Sequence, residues 1–334
     1  MFRRSTPSLV PWFIWIGLFF SCWLTLVVGG NHWSTLLAHK GIAIAMALGS
    51  YAAGSTPMGG GTVGFPILVL LFGEPATLGR DFSFAVQSIG MTSASIFIIA
   101  RRQPVEWPMV RWAMLGSLIG TPLGILYIAP LVPALVIKVL FAIVWCSFGV
   151  LHCYRLKELA KHEGLAPGAH RFDRNAGFLV GLFAGATVAS ITGVGIDMVL
   201  YALLVLLCQA DLKIAIPSSV IIMAFTSLVG VAVKNLTGTM QPGVYENWLA
   251  AAPVVALGAP LGAFVVAKAG RAPTLLFVSI LCIGQFVWTM TDEWARLGFG
   301  GLACALGGVL VFNLGFEWLH RKGERADRRG NGRK

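Results

Sequence analysis

The sequence predicts an all-α polytopic membrane protein of about 10–12 helical segments, built as two inverted repeats of about five segments each with broken or re-entrant helices. Three observations lead there. Of 334 residues, 57% are hydrophobic and only 12% charged, whereas soluble chains carry roughly 25% charged residues. Apolar stretches of spanning length recur from residue 8 to residue 317. They run without the alternation of barrel strands, so their backbone groups must pair within helices.

Taken in order, the first stretch, 8–30, follows Arg3 and Arg4 as a secretory leader would. It outruns the usual 7 to 15 apolar residues of a leader, and no A-x-A site follows, so it reads as a retained transmembrane helix within a unit 1–35. Segments 36–56, 62–73, 82–100, 109–128 and 131–152 make a first repeat, 36–152. A basic cytoplasmic loop, 153–176, leads to segments 177–192, 196–208, 214–233, 248–267 and 274–291, the second repeat, 177–291. A last transmembrane helix, 292–317, and a basic cytoplasmic tail, 318–334, complete the chain. Segments 62–73 and 196–208 fall short of the roughly 20 residues a straight crossing needs. Whether they cross or re-enter stays open, and parity places both termini on one side either way.

The net charge of +11 reports orientation. With the N-terminus in the cytoplasm, 20 of the 25 Lys and Arg fall inside, Lys40, Arg80, Lys234 and Arg296 fall outside, and Lys138 lies early in a span, where outward snorkelling is the preferred reading and substrate contact the other. No basic fold surrounds these residues, so no nucleic-acid partner is implied. The expected partners are the lipid bilayer and a small anionic solute, with the oligomeric state open. Five of the six cysteines lie in apolar runs and none is spaced C-x-x-C, which gives neither a disulfide framework nor a metal site. The six histidines sit in loops or at span ends. H-E-x-x-H, G-x-x-x-x-G-K-[ST] and G-x-S-x-G are all missing from the sequence. No catalytic residue, metal or cofactor is expected, and the chain reads as a non-enzyme.

The two halves resemble each other. Laid without gaps, Gly59–Ser93 matches Gly193–Ser227 at eight positions, among them Thr92 with Thr226 and Ser93 with Ser227, and GTPLG at 120–124 recurs as GAPLG at 258–262. Five segments per half invert the second unit relative to the first. Paired, interrupted helices in inverted repeats are the pattern of secondary transporters, whose solute site lies at the repeat interface. The interruptions read GSTPMGGGTVGFP and GATVASITGVGIDM. Glycines there let peptide N–H groups and a helix start face a ligand, which favours an anion; close helix packing by small residues is the other reading. Gly59, Gly60, Gly61 and Thr62 from one half and Thr192, Gly193 and Gly195 from the other are the candidate binding residues, joined by the hydroxyls of Thr92, Ser93, Thr226 and Ser227. Asp197, an acid inside an apolar run, either carries a coupling proton or caps the restarted helix.

At these residues the chain resembles the sulfite exporter TauE/SafE family, also known as the toluene sulfonate uptake permeases. The likeness is carried by GGGTVGFPILVLLFG and GVGIDMVLYALLVLL, by a small-residue helix ending near ARRQPVEW, and by the G-x-P-L-G blocks, over about 40–291. The resemblance implies a multi-pass permease of the bacterial inner membrane, moving sulfite, organosulfonates or related oxyanions by alternating access, coupled to an ion gradient. A cation or neutral-solute permease, and a membrane-embedded enzyme or regulatory subunit, are the alternatives.

Overall fold

The computed structural model describes residues 8–159, 164, 170–269 and 272–331. Arg3, Arg4, Lys161, Arg271, Arg333 and Lys334, which enter the charge count, lie outside the described residues. Among those described, the chain is helical and contains no strand. The first half runs through α1 (Val10–Gly29), α2 (Trp33–Ala38) and α3 (Lys40–Ser55), then a break at 56–60. Next come α4 (Gly61–Pro66) with a π-helical turn at Ile67–Leu71, α5 (Ala76–Ala100), α6 (Trp107–Leu123) with a π-helical turn at Gly124–Ile128, and α7 (Ala134–Leu159). The second half repeats this order. It comprises α8 (His170–Ala184), a π-helical turn at Gly185–Ala189 and a closing turn α9 (Ser190–Thr192), then a break at 193–195. After it come α10 (Ile196–Ala202) with a π-helical turn at Leu203–Leu207, α11 (Leu212–Leu236), α12 (Val244–Ala269) and α13 (Ala272–Asp292), and finally α14 (Trp294–Asn331).

Nine helices among the described residues are long and apolar enough to cross a membrane. Contacts then decide what the short limbs do. The ring of Phe72, just past the α4 limb, lies against Gly41 at the start of α3, so the pair is a hairpin with its ends together. In the second half the peptide N–H of Asp211 bonds Gly164 O at 2.7 Å, which returns the α10 limb to the side where α8 begins. The breaks themselves sit at mid-height. Trp145, midway along the span of α7, donates from Nε1 to Thr62 Oγ1 at 2.6 Å, and its ring is 3.4 Å from the Cβ position of Gly195. Cys282, midway along α13, is 3.5 Å from Met58. Both hairpins therefore re-enter. Phe172–Thr192, one of the nine by length, turns back instead of crossing, which leaves eight crossings among the described residues.

Local sequence explains the limbs. The backbone at Gly193 (φ 82°) and Gly195 (φ 100°) is left-handed, which a side chain strains against, so helix α9 ends and α10 restarts within three residues. Asp211 caps α11 by accepting from Lys213 N at 2.7 Å. The G-x-P-L-G blocks hold the hairpins. A Cβ on Gly116, Gly120 or Gly124 of the α6 limb would stand 2.1–2.2 Å from the carbonyls of Phe178, Leu182 and Ala186. In the same way Gly258 and Gly262 of α12 meet Ser50 and Tyr51 of α3. Residue numbers rise together along each contact, so α6 with α8, and α3 with α12, lie parallel at backbone contact.

The gapless alignment of the halves needs correction. The π-helical turns Ile67–Leu71 and Leu203–Leu207, and the 25-residue helices α5 and α11 behind them, are displaced by 136 residues and not 134. This register superposes Leu68-Val69-Leu70-Leu71 on Leu204-Val205-Leu206-Leu207. The breaks differ in length, so an alignment anchored on their glycines shifts the following helices by two. Thr92 and Ser93 then correspond to Leu228 and Val229, and not to Thr226 and Ser227.

Candidate functional site

The two breaks meet. A Cβ on Gly61 would stand 2.6 Å from Val194 Cγ1 and 3.2 Å from Ser83 Oγ; one on Gly193 would stand 2.2 Å from the carbonyl of Arg80 and 3.0 Å from Ser83 Cβ. Helix α5 thus runs past both breaks and touches each through Ser83. Gly59 (φ 67°) looks toward the other half: its Cβ position is 2.6 Å from Gln87 Oε1 and 3.0 Å from Asp197 Oδ2. Gly60 packs behind, on Met46 and Ala53. Gly59–Thr62 and Thr192–Met198 are all buried. A cavity of about 10 Å³ lies beside Gly60, Gln87 and Ala259, room for about one water. The breaks are thus closed off from both faces.

Side-chain bonding divides the expected ligands. The Thr62 hydroxyl bonds Met58 O and accepts from Trp145 Nε1, so it is engaged. Trp145 in turn stacks at 3.8 Å on Phe141, which stacks at 4.2 Å on Phe65 of the α4 limb. Thr192 Oγ1 lies 2.7 Å from Val188 O and 2.9 Å from Val194 O, closing the turn around Gly193. Asp197 splits its two oxygens. Oδ1 accepts from Gly195 N and Met198 N, each at 3.1 Å, which is the capping role. Oδ2 is buried without a hydrogen-bond partner among the described residues, as is Gln87 Oε1. An unpaired acceptor in a buried setting costs about 1–3 kcal/mol, and both of these oxygens face the Cβ position of Gly59.

The other hydroxyls turn elsewhere. Ser93 bonds Ala256 O at 2.6 Å and accepts from Trp12 Nε1 at 3.1 Å, which faces it toward α12 and α1. Thr226 shares a 2.7 Å bond with Ser117 of α6. Thr92 Oγ1 and Ser227 Oγ are buried without a hydrogen-bond partner among the described residues. Among the described residues, none of these four makes a hydrogen bond to the breaks. Gln87 is the residue the sequence reading passed over; its only signal there is an amide within an apolar helix. His152, expected at a span end, is fully buried in α7 with Nε2 2.9 Å from the Tyr201 hydroxyl. Arg80 and Lys234, expected outside, are buried at the ends of α5 and α11, where both pair with Asp81. Lys138 pairs with Glu293 at that same end of the molecule.

On the opposite face Arg155 bridges Glu158 and Glu317, and His320 reaches Glu158 at 2.8 Å, tying α14 to α7. Burial pushes the Glu158 carboxyl up, but Arg155 and then His320 outweigh it and hold the group below the usual carboxylate range.

Eight crossings with two half-depth hairpins meeting at mid-height define a multi-pass membrane protein of the transporter class. The family profile of the sulfite exporters TauE/SafE matches residues 41–287, and the chain belongs to that family of membrane transporters. No curated protein and no solved structure matches it.

Proposed function

We propose that the protein is a secondary transporter of small anions, such as sulfite, organosulfonates or related oxyanions, working by alternating access around the meeting point of the two breaks. The observation that carries this is the contact of Gly61 with Val194 and of Gly59 with Asp197 across the halves, buried from both faces. Each half lends one hairpin, so a small rocking of one against the other opens one side at a time.

Asp197 supplies the coupling. An ionised carboxylate beside an anion repels it, whereas a protonated Asp197 neutralises the site and donates from Oδ2. Proton and anion then bind together. The positive residues on the termini face, among them Arg101, Arg102, Arg155 and Lys213, support a cytoplasmic location for that face and a bacterial inner membrane as the setting. The test is radiolabelled sulfite or benzenesulfonate uptake into reconstituted vesicles. Flux that a protonophore abolishes is expected, and Asp197→Asn should lose the pH dependence. Absence of flux for both anions defeats the transport reading, and unchanged pH dependence in Asp197→Asn removes the proton role.

A second reading is favoured by the two unpaired oxygens, Gln87 Oε1 and Asp197 Oδ2, which also suit a monovalent cation. Replacing sodium with choline separates it: flux that stops in choline and ignores a protonophore makes the cation the coupled species.

A further inference from the structure

A second feature lies at the face opposite the termini. The start of α5 and the end of α11 bring Arg80 and Lys234 to one carboxylate: Arg80 Nε is 2.9 Å from Asp81 Oδ1, and Lys234 Nζ is 3.0 Å from Asp81 Oδ2. All three are buried. Two cations and one carboxylate leave a surplus positive charge, and removing charge from water is costly unless it is compensated. Both cations line a cavity of about 290 Å³, just below the roughly 300–1,000 Å³ of small-molecule sites. Thr77, Thr239 and Gln241 add polar groups to its lining. Ile125, Leu126, Ala129, Pro130 and Val132 supply its apolar wall. Arg80 links the cavity to the breaks, because it lines the one and its backbone carbonyl is the atom that a Cβ on Gly193 would strike in the other.

We infer that this cavity is a capture site for a small amphiphilic anion, a sulfonate or carboxylate carrying an apolar group, held one residue layer from the breaks. The inference rests on the anion-transport reading and narrows its substrate class. Sulfite satisfies the charge but leaves the apolar wall bare, whereas an arenesulfonate uses both. The anionic headgroup of a phospholipid presents the same chemistry, and the experiment separates the two sources.

Full-length protein in an uncharged detergent is titrated calorimetrically with benzenesulfonate, with sulfite and with the neutral methyl phenyl sulfone. Saturable binding of benzenesulfonate that weakens with added salt is expected, with sulfite weaker and no binding of the sulfone. Lys234→Gln is the informative variant, because Arg80 and Asp81 remain a neutral pair while the surplus charge goes; its affinity should fall tenfold or more. If that variant does not fold, Val132→Trp, which fills the apolar side from a connecting segment, should give the same loss. Native mass spectrometry with added phosphatidylglycerol identifies the resident. Lipid retained by the wild type, lost in Lys234→Gln and displaced by benzenesulfonate makes the headgroup the occupant in the membrane; benzenesulfonate binding without lipid retention makes it the free solute. Equal affinity in the variant, or equal binding of the sulfone, overturns the site. Vesicle flux keeps the readings apart: a transporter with normal flux and no binding here loses only the capture site, whereas binding here with no flux for any anion defeats only the transport reading.

Discussion

At the scale of single residues, the breaks are held by side-chain hydrogen bonds and ring stacking. Trp145 is the clearest case, since its indole both stacks on Phe141 and donates to Thr62. Trp145→Phe keeps an aromatic ring but removes the donor. Thermal unfolding in detergent should register a loss of about 1 kcal/mol, the net value of one such bond, and an unchanged midpoint would mean that Thr62 finds another donor. Asp197 stood out in the sequence because acids are rare in apolar runs. Gln87 did not, because an amide carries no charge and its importance comes from what faces it across the halves. Asp81 is similar: it sits next to Arg80 in the chain, and only the fold adds Lys234 from 153 residues away.

At the scale of elements, length arithmetic flagged 62–73 and 196–208 as too short, but it left their path open. Depth settles it, through the contacts of Met58, Thr62 and Gly195 with the middles of α7 and α13. A labelling experiment follows. On a cysteine-free background, Gly60→Cys should resist a membrane-impermeant maleimide applied from either face, while Lys40→Cys and Phe72→Cys label from one face. Labelling of residue 60 from the face opposite residue 40 would mean that α3 crosses completely. The repeat was legible from G-x-P-L-G and the glycine breaks, yet its register was not. Helices tolerate no two-residue slip within the hairpins, whereas the connecting breaks absorb one freely, so the strongest sequence landmarks were the least reliable rulers. The matched hydroxyl pairs fell with that register.

At the scale of the whole molecule, composition was enough to name the class, because 57% hydrophobic residues with 12% charged leaves no soluble alternative of this size. The partnership of the halves was not readable. Hairpin α3–α4 belongs to the first half yet packs its α3 on α12 of the second, and α8 of the second packs on α6 of the first. Each half therefore takes from the other the partner that seats the first limb of its hairpin, while the second limb packs within its own half. Chains 1–159 and 170–334, expressed together, should assemble and copurify, whereas each alone should fail to survive detergent extraction; a half that is stable by itself would refute the exchange. The exchange also bears on descent. A half-length ancestor would have seated that first limb against a second copy inserted upside down, an arrangement that requires a chain able to enter the bilayer in both orientations before the two copies were joined and charge fixed which way each one faces.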